Sequence, residues 1–430
     1  MTYQETLNYL YHRLPMFQRQ GGAAFKKDLT NIRLLLTEMG NPERTFRTIH
    51  IAGTNGKGST THLMAAALMK HGFRTGIYTS PHYRDFRERI KIGNELIGRN
   101  FVRHFVEKHR RLIEQVRPSF FEITVAMAFG YFAEKKVDVA VIEVGLGGRL
   151  DSTNVITPEL SVITNISFDH QQFLGNTLEK IAGEKAGIIK PGVPVVVGQH
   201  QTEIVGVFEK KAAENQAPIS WAEGSLKVEE LSSGPTGTIY RTSGPEPIRF
   251  DRLEVELFGA YQQHNLRTAL WSLYRLDQVA EWFQLESDRL PMAWKNLKSY
   301  VHFIGRWEVL GREPLVIADS AHNEDGLQQA MRQLARTPRR RLHFVLGTVN
   351  DKDLGKMLPL LPKQARYYFC RPDIPRGLAA EQLATAAETF DLHGQVYSSV
   401  RRALAAARRR STEQDVIYVG GSTFVVAEVV

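Results

Sequence analysis

The sequence reads as an α/β chain of two parallel-sheet domains, and three observations carry that reading. Short β-branched runs alternate with helical periodicity along most of its 430 residues, which implies parallel strands joined by crossover helices. A glycine-rich turn around one lysine joins a strand to a helix of small residues in "IHIAGTNGKGSTTHLMAAAL", Ile49 to Leu68. After "WKNLKSYVHFIGRWEVL" the strand and helix alternation starts afresh.

In chain order, the first set of strands is "TIHIAG", "RTGIYTS", "DVAVIEVG", "LSVITNIS" and "VPVVVGQ". In such sheets ligands collect at the C-terminal ends of the strands. From about Ala217 to Gly259 the texture changes to short strands broken by "SSGPTG" and "SGPEP", read as a small β-rich insertion (217–259). Helical pattern resumes with "YQQHNLRTALWSLYRL". The second set comprises "PLVIADSAHN", "RLHFVLGTVNDKD", "ARYYFCRPD" and "DVIYVGGSTFVVAEV", so the expected domains are 1–298 and 299–430, the second smaller and Rossmann-like.

The bulk numbers narrow the class. At 43% hydrophobic and 23% charged the chain supports ordinary globular cores. Its one cysteine, Cys370, cannot form an internal disulfide, the N-terminus lacks a signal-peptide apolar run, and no apolar stretch reaches the roughly 18 residues of a membrane span. A cytoplasmic location with no membrane partner is expected. The formal charge of +9 suits anionic partners, yet the runs at Pro338–Arg341 and Arg408–Arg410 read as solvated helix ends. With no interleaving of aromatic and basic residues, no nucleic-acid partner is expected.

The turn is a phosphate loop, which makes the first domain P-loop ATPase-type. Glycines at 53, 56 and 58 let the backbone approach phosphate oxygens, Lys57 supplies a point charge, and Ser59 or Thr60 can ligate Mg²⁺. Thr54, Asn55, Gly56 and Gly58 complete the expected ATP-binding run. Gly58 separates Lys57 from Ser59, a departure from the general Walker pattern. The strand "VAVIEVGLGG" ends near Glu143, where a carboxylate would face Mg²⁺. His170 directly follows another strand in "TNISFDHQQFLG", and ligation by it requires the neutral imidazole.

"GTNGKGST" resembles the nucleotide loop of the ATP-dependent Mur ligase superfamily. Further blocks narrow the resemblance to the folylpolyglutamate synthase family, often also dihydrofolate synthase: "YTSPHYRDFRERIKIG", "FFEITVAMAFGYF", "DVAVIEVGLGGRLDSTNVI", "ITNISFDHQQFLGNTLEKIAGEKAGIIKPG", "YQQHNLRTA", "FIGRWEVL", "IADSAHNEDGL" and "GGSTFV". The resemblance spans essentially the whole chain. It implies Mg²⁺ held by Glu143 and His170 with help from Ser80, a carbamylated Lys185 bridging toward metal and phosphate, and a monovalent cation. Asn265 offers an amide that can donate to and accept from an adenine edge, with helix capping as the alternative. Arg306 and Asp319 look like the residues by which the second domain reaches ATP, and His322 and Asn323 like contacts to the amino acid and phosphoryl group. Two positions depart from the family pattern: Glu324 stands where a proline is usual, and Ile304 where one is common.

The implied chemistry is amide formation. A carboxylate must first become a good leaving group, so the folate carboxylate attacks the γ-phosphoryl of ATP, and the amine of L-glutamate then attacks the acyl phosphate. Near "SPHYRDFRERI", Arg84, Arg87 and Arg89 are candidates for glutamyl carboxylates. Phe120 or Phe121 could flank a flat ring, although a plain core helix is the stronger reading of that segment. A cell-wall Mur ligase normally carries a further N-terminal domain, for which a loop near residue 50 leaves no room. A nucleotide switch or scaffold is the other rival, and no Asn-Lys-x-Asp motif supports it. A monomer is expected.

Overall fold

The computed structural model describes residues 1–15, 28–234 and 236–430. Contacts divide the chain into two compact units. The first comprises Met1–His82, Phe86–Glu256 and Gln262–Phe303, and the second Tyr83–Asp85, Leu257–Tyr261 and Ile304–Val430.

The first unit is built on eight strands: β1 (Arg47–Ala52), β2 (Thr75–Tyr78), β3 (Ile90–Ile92), β4 (Glu95–Leu96), β5 (Val139–Glu143), β6 (Leu160–Ile163), β7 (Val195–Val197) and β8 (Ile219–Trp221). Their spatial order is β4-β3-β2-β5-β1-β6-β7-β8. The strands from β2 to β8 in that order run parallel, and β3 and β4 form an antiparallel edge. Continuous apolar runs explain the arrangement: every residue of β5 and β6 is buried, as a parallel sheet covered on both faces requires.

The helix Lys57–Lys70 follows β1 and is buried continuously from Ser59 to Leu68. Its alanines at 65–67 let neighbours come close on all sides. Trp294 is fully buried and donates its indole N–H to the Leu63 carbonyl at 2.9 Å. Phe120 belongs to the helix Phe120–Glu134, started by a capping box on Ser119 and Glu122, and is buried in the core with Phe86 and Phe129. That is the core-helix reading of the segment.

An antiparallel meander of β9 (Lys227–Gly234), β10 (Gly237–Ser243) and β11 (Phe250–Val255) interrupts the α/β pattern before the helix Gln262–Val279. The β-rich segment was expected from 217. Its first strand, β8, instead pairs parallel with β7, Val195 opposite Ile219, and extends the main sheet. A three-residue apolar run looks the same in either place; the partner strand decides.

The second unit holds β12 (Glu308–Arg312), β13 (Leu315–Ala318), β14 (Leu342–Leu346), β15 (Arg366–Cys370), β16 (Gly394–Tyr397) and β17 (Val416–Gly420), in the order β12-β13-β17-β14-β15-β16. Only β12 is antiparallel, so the unit is a doubly wound α/β layer. Arg339 caps the helix Glu324–Arg336, donating to the carbonyls of Leu334 and Thr337, while Arg408–Arg410 fill the exposed last turn of the helix Val400–Arg410. Among the described residues no helix is long and apolar enough to cross a membrane.

Replacing Trp294 by phenylalanine removes its hydrogen bond and leaves a void beneath the phosphate-loop helix. We expect a loss of about 1–3 kcal/mol in denaturant unfolding; an unchanged midpoint would show that the indole contributes no stability there.

Candidate active site

The strand order places four loops side by side at one edge of the first sheet. Ser80 follows β2, Glu143 ends β5, residues 53–56 follow β1, and Thr164–His170 follow β6, in the spatial sequence β2-β5-β1-β6. Residues scattered over 120 positions of sequence are thereby brought to one line, at the strand ends where α/β sheets bind ligands.

The loop 53–56 is held by its neighbour. The Thr54 amide donates to the Asn165 carbonyl and the Asn55 amide to Asn165 Oδ1, both at 2.8 Å. Thr164 Oγ1 donates to the Asn55 carbonyl at 2.6 Å, and Thr54 and Ser167 exchange two bonds. Two glycines are obligatory. Gly53 has φ +144° and a Cβ there would overlap the Thr164 hydroxyl; Gly56 has φ +84° and its Cβ would overlap the Asn265 amide oxygen. Asn265 is thus packed against the loop, in the first turn of its helix, with Nδ2 donating to Gln262 Oε1 at 2.8 Å.

Lys57 opens the helix and folds back over the loop, its ammonium donating to the carbonyls of Gly53 and Thr54 at 3.1 Å each. Lys185 reaches the same Gly53 carbonyl from the end of the helix Leu178–Ala186, at 2.9 Å and only 4% exposed. Burial, and then the Lys57 charge beside it, lower the Lys185 pKa to about 7. Its neutral form, the one that reacts with carbon dioxide, is therefore well populated near neutrality.

Glu143 is 5% exposed and accepts a hydrogen bond from the Ser80 amide at 3.2 Å. A Cβ on Gly58 would stand 3.8 and 3.9 Å from its two carboxylate oxygens, so the carboxylate faces the first turn of the phosphate-loop helix, where Ser59 lies buried. Thr60 is fully buried, and its hydroxyl has no hydrogen-bond partner among the described residues. His170 is in the left-handed conformation, φ 51°, and begins a short helix; its Nε2 is 3.8 Å from Asp169. No three His, Cys, Asp or Glu side chains gather into a metal cluster among the described residues. Glu143 beside Ser80 and the first turn of the phosphate-loop helix gives a sparse, oxygen-bearing corner, which suits Mg²⁺ completed by phosphate and water.

In the second unit, Asp319 is 1% exposed. Its Oδ2 accepts from the Tyr261 hydroxyl at 2.6 Å and the Trp307 amide at 2.7 Å, and its Oδ1 from the Ala321 amide at 2.9 Å. It braces the segment that carries Arg306. Burial, then the Asp319 charge, drive the Tyr261 hydroxyl well above its usual pKa, so it stays a donor. His322 directs Nδ1 at the Ser320 carbonyl, 2.9 Å away, which makes Nε2 its basic nitrogen. Asn323 caps the helix Glu324–Arg336, accepting from the Gly326 amide at 2.9 Å.

Arg89, expected near substrate carboxylates, is 3% exposed; its Nε donates to His82 Nδ1 at 2.7 Å and its guanidinium lies over the Phe120 ring. Several structural supports escaped sequence reasoning. Thr164, Asn165 and Ser167 sit in the quoted block "TNIS", but only the order of β1 and β6 reveals their role. Asp151 accepts from the amides of Gly145 and Leu146 at 3.0 and 2.9 Å and so shapes the turn after Glu143.

Lys185 gives a pH test. Its folded pKa, about 7, lies below the unfolded value of about 10.4. Between those limits the unfolded chain binds more protons, so this residue makes stability rise with pH from about 7 to about 10. Lys185→Met should raise Tm by a few degrees at pH 7 and by less at pH 9, measured by calorimetry; an equal shift at both pH values would contradict a depressed lysine.

The chain matches the "Mur ligase middle domain" over residues 51–273 and the "Mur ligase, glutamate ligase domain" over 305–423. It is 34% identical to the folylpolyglutamate synthase of Lacticaseibacillus casei, over 98% of this chain and 96% of that one. It is also 34% identical to a probable bifunctional folylpolyglutamate synthase/dihydropteroate synthase of Haloferax volcanii, where all of this chain spans 50% of the relative's length. The structure of Mycobacterium tuberculosis folylpolyglutamate synthase complexed with ADP and AMPPCP superposes with TM-score 0.87 at 30% identity, covering 99% of this chain and 98% of that one. With both Mur ligase domains matched in order around this phosphate loop, the chain belongs to the folylpolyglutamate synthase/dihydrofolate synthase family of Mur ligases.

Proposed function

We propose that the protein is an ATP-dependent ligase that joins L-glutamate to the carboxylate of a folate and releases ADP and phosphate. The acceptor is a folate: tetrahydrofolates, for polyglutamylation, with dihydropteroate as the further candidate. The observation that carries the reading is the convergence of Lys57, Lys185 and Glu143 on the loop 53–59 in a chain of this family.

The loop amides and the start of the helix Lys57–Lys70 bind phosphate oxygens, and Lys57 counters charge on the transferring group. Asn265, fixed against Gly56, meets the adenine edge, and Arg306 reaches the nucleotide from its own unit. Ser59, Ser80, Glu143 and His170 would hold Mg²⁺, with Ser80 and Glu143 already linked. Bound there, the ion supplies charge neutralisation on the phosphates.

The folate carboxylate oxygen attacks the γ-phosphorus as the bond to ADP breaks, giving an acyl phosphate. The amine of glutamate attacks the acyl carbon, phosphate leaves, and His322 Nε2 takes the proton lost by nitrogen. The depressed Lys185 amine supports its carbamylation, which turns a cation crowded by Lys57 into an anion. The single cysteine supports a cytoplasmic site of action, and the presence of both Mur ligase domains on one chain supports a monomer.

Incubation with Mg-ATP, glutamate and either dihydropteroate or tetrahydrofolate, followed by mass spectrometry, should show a glutamyl increment on at least one acceptor; an increment on neither refutes the reading. Lys57→Ala and Glu143→Gln should each lower kcat on the order of 10²–10³-fold with unchanged circular dichroism, and near-normal turnover in either would remove its assigned role. Stripping carbon dioxide from the buffer should slow the reaction, and added bicarbonate should restore it.

A further inference from the structure

Behind the phosphate loop lies a buried cation that the chemistry above does not use. Lys91, on β3, is 2% exposed. Its ammonium has three N–H donors and three acceptors: His62 Nε2 at 2.9 Å, Thr79 Oγ1 at 3.3 Å and the His302 carbonyl at 3.3 Å. Among the described residues none of its hydrogen-bond partners is a carboxylate.

Each acceptor leads to a different segment. His62 lies on the phosphate-loop helix, and its Nδ1 is 2.6 Å from the Gly58 carbonyl. A carbonyl can only accept, so Nδ1 carries the proton and Nε2 presents its lone pair to Lys91. Burial, then the Lys91 charge, depress the His62 pKa, which keeps the ring in that neutral tautomer. Thr79 precedes Ser80, whose amide holds Glu143. His302 is two residues before Ile304, where the second unit begins, and the His62 ring packs edge-on to Phe303 at 5.0 Å.

We propose that Lys91, acting through His62, is a positioning residue: it fixes the first turn of the phosphate-loop helix relative to the Ser80–Glu143 corner and to the last residues of the first unit. Burying an ammonium is costly, and an apolar filling of similar size normally gives equal or better stability. The charge is retained on β3, against a phosphate-loop helix that is otherwise packed with alanine, leucine and methionine. What the cation adds and an apolar filling does not is directional: three bonds that hold Gly58, Thr79 and His302 at set distances. Nucleotide bound at Gly58 and Ser59 is then linked, through bonds rather than bulk packing, to the chain that enters the second unit.

The inference rests on the ligase reading for its kinetic arm alone. Lys91→Met by itself leaves the buried His62 Nε2 without its Lys91 donor and should destabilise the fold. The decisive variant is Lys91→Met with His62→Leu, which replaces both the buried cation and the imidazole that accepts from it by apolar side chains. We expect its Tm to return close to wild type while kcat/KM for Mg-ATP stays lowered about tenfold or more. Amide exchange at residues 300–304 should slow on AMPPNP binding in the wild type and show no such slowing in the double variant. His62→Gln, which keeps one donor and one acceptor in the same direction, should recover most of the turnover lost in His62→Leu. A double variant with wild-type Tm, wild-type kcat/KM and wild-type nucleotide-dependent exchange overturns the proposal. The exchange measurement needs no folate or glutamate, so a failure of the ligase assignment leaves it standing.

Discussion

Much of the first unit is organised around a single backbone oxygen. The Gly53 carbonyl accepts from Lys57 at 3.1 Å and from Lys185 at 2.9 Å, drawing two amines together at the mouth of a strand. In water two such ammoniums would separate. Here one is anchored at the start of a helix and the other at the end of a helix and nearly enclosed, so neither can move off. The conflict is resolved chemically, by the more buried amine giving up its proton. A site that must bind several phosphate charges thus holds, beside Lys57, one group whose charge is adjustable near neutrality.

That arrangement requires a rigid loop, and rigidity comes from neighbours rather than from the loop itself. Glycine at 53 and 56 permits close approach but also gives the unfolded chain more freedom to lose. Thr164, Asn165 and Ser167 compensate with a set of bonds to residues 54 and 55, each worth on the order of 1 kcal/mol. Asp151 does the same for the turn after Glu143. The catalytic edge is therefore a row of loops that brace each other in the order set by the sheet.

The parts of this plan that depend on local pattern were readable from the sequence: the phosphate loop, the strand ending in Glu143, the buried strands and the second α/β layer. The parts that depend on which strand lies next to which were not. "TNIS" looks like any polar strand exit until β6 is known to flank β1. Ile219–Trp221 is assigned to one sheet or another only by its partner. Asp319 and Arg89 also have structural partners that their motifs do not announce: the Trp307 amide for one and His82 for the other, contacts visible only once the chain is folded. Lys91 carried no signal at all, because a single lysine in a short edge strand reads as exposed.

The row of strand ends has one more outcome. The pieces that meet at the loop 53–58 lie at 80, 143, 164–167, 185 and 265, and no contiguous stretch of the polypeptide contains a working half. Residues 53–58 are braced only where all of these segments are in place, so the rigidity of the loop belongs to the folded unit and not to the glycine-rich turn by itself.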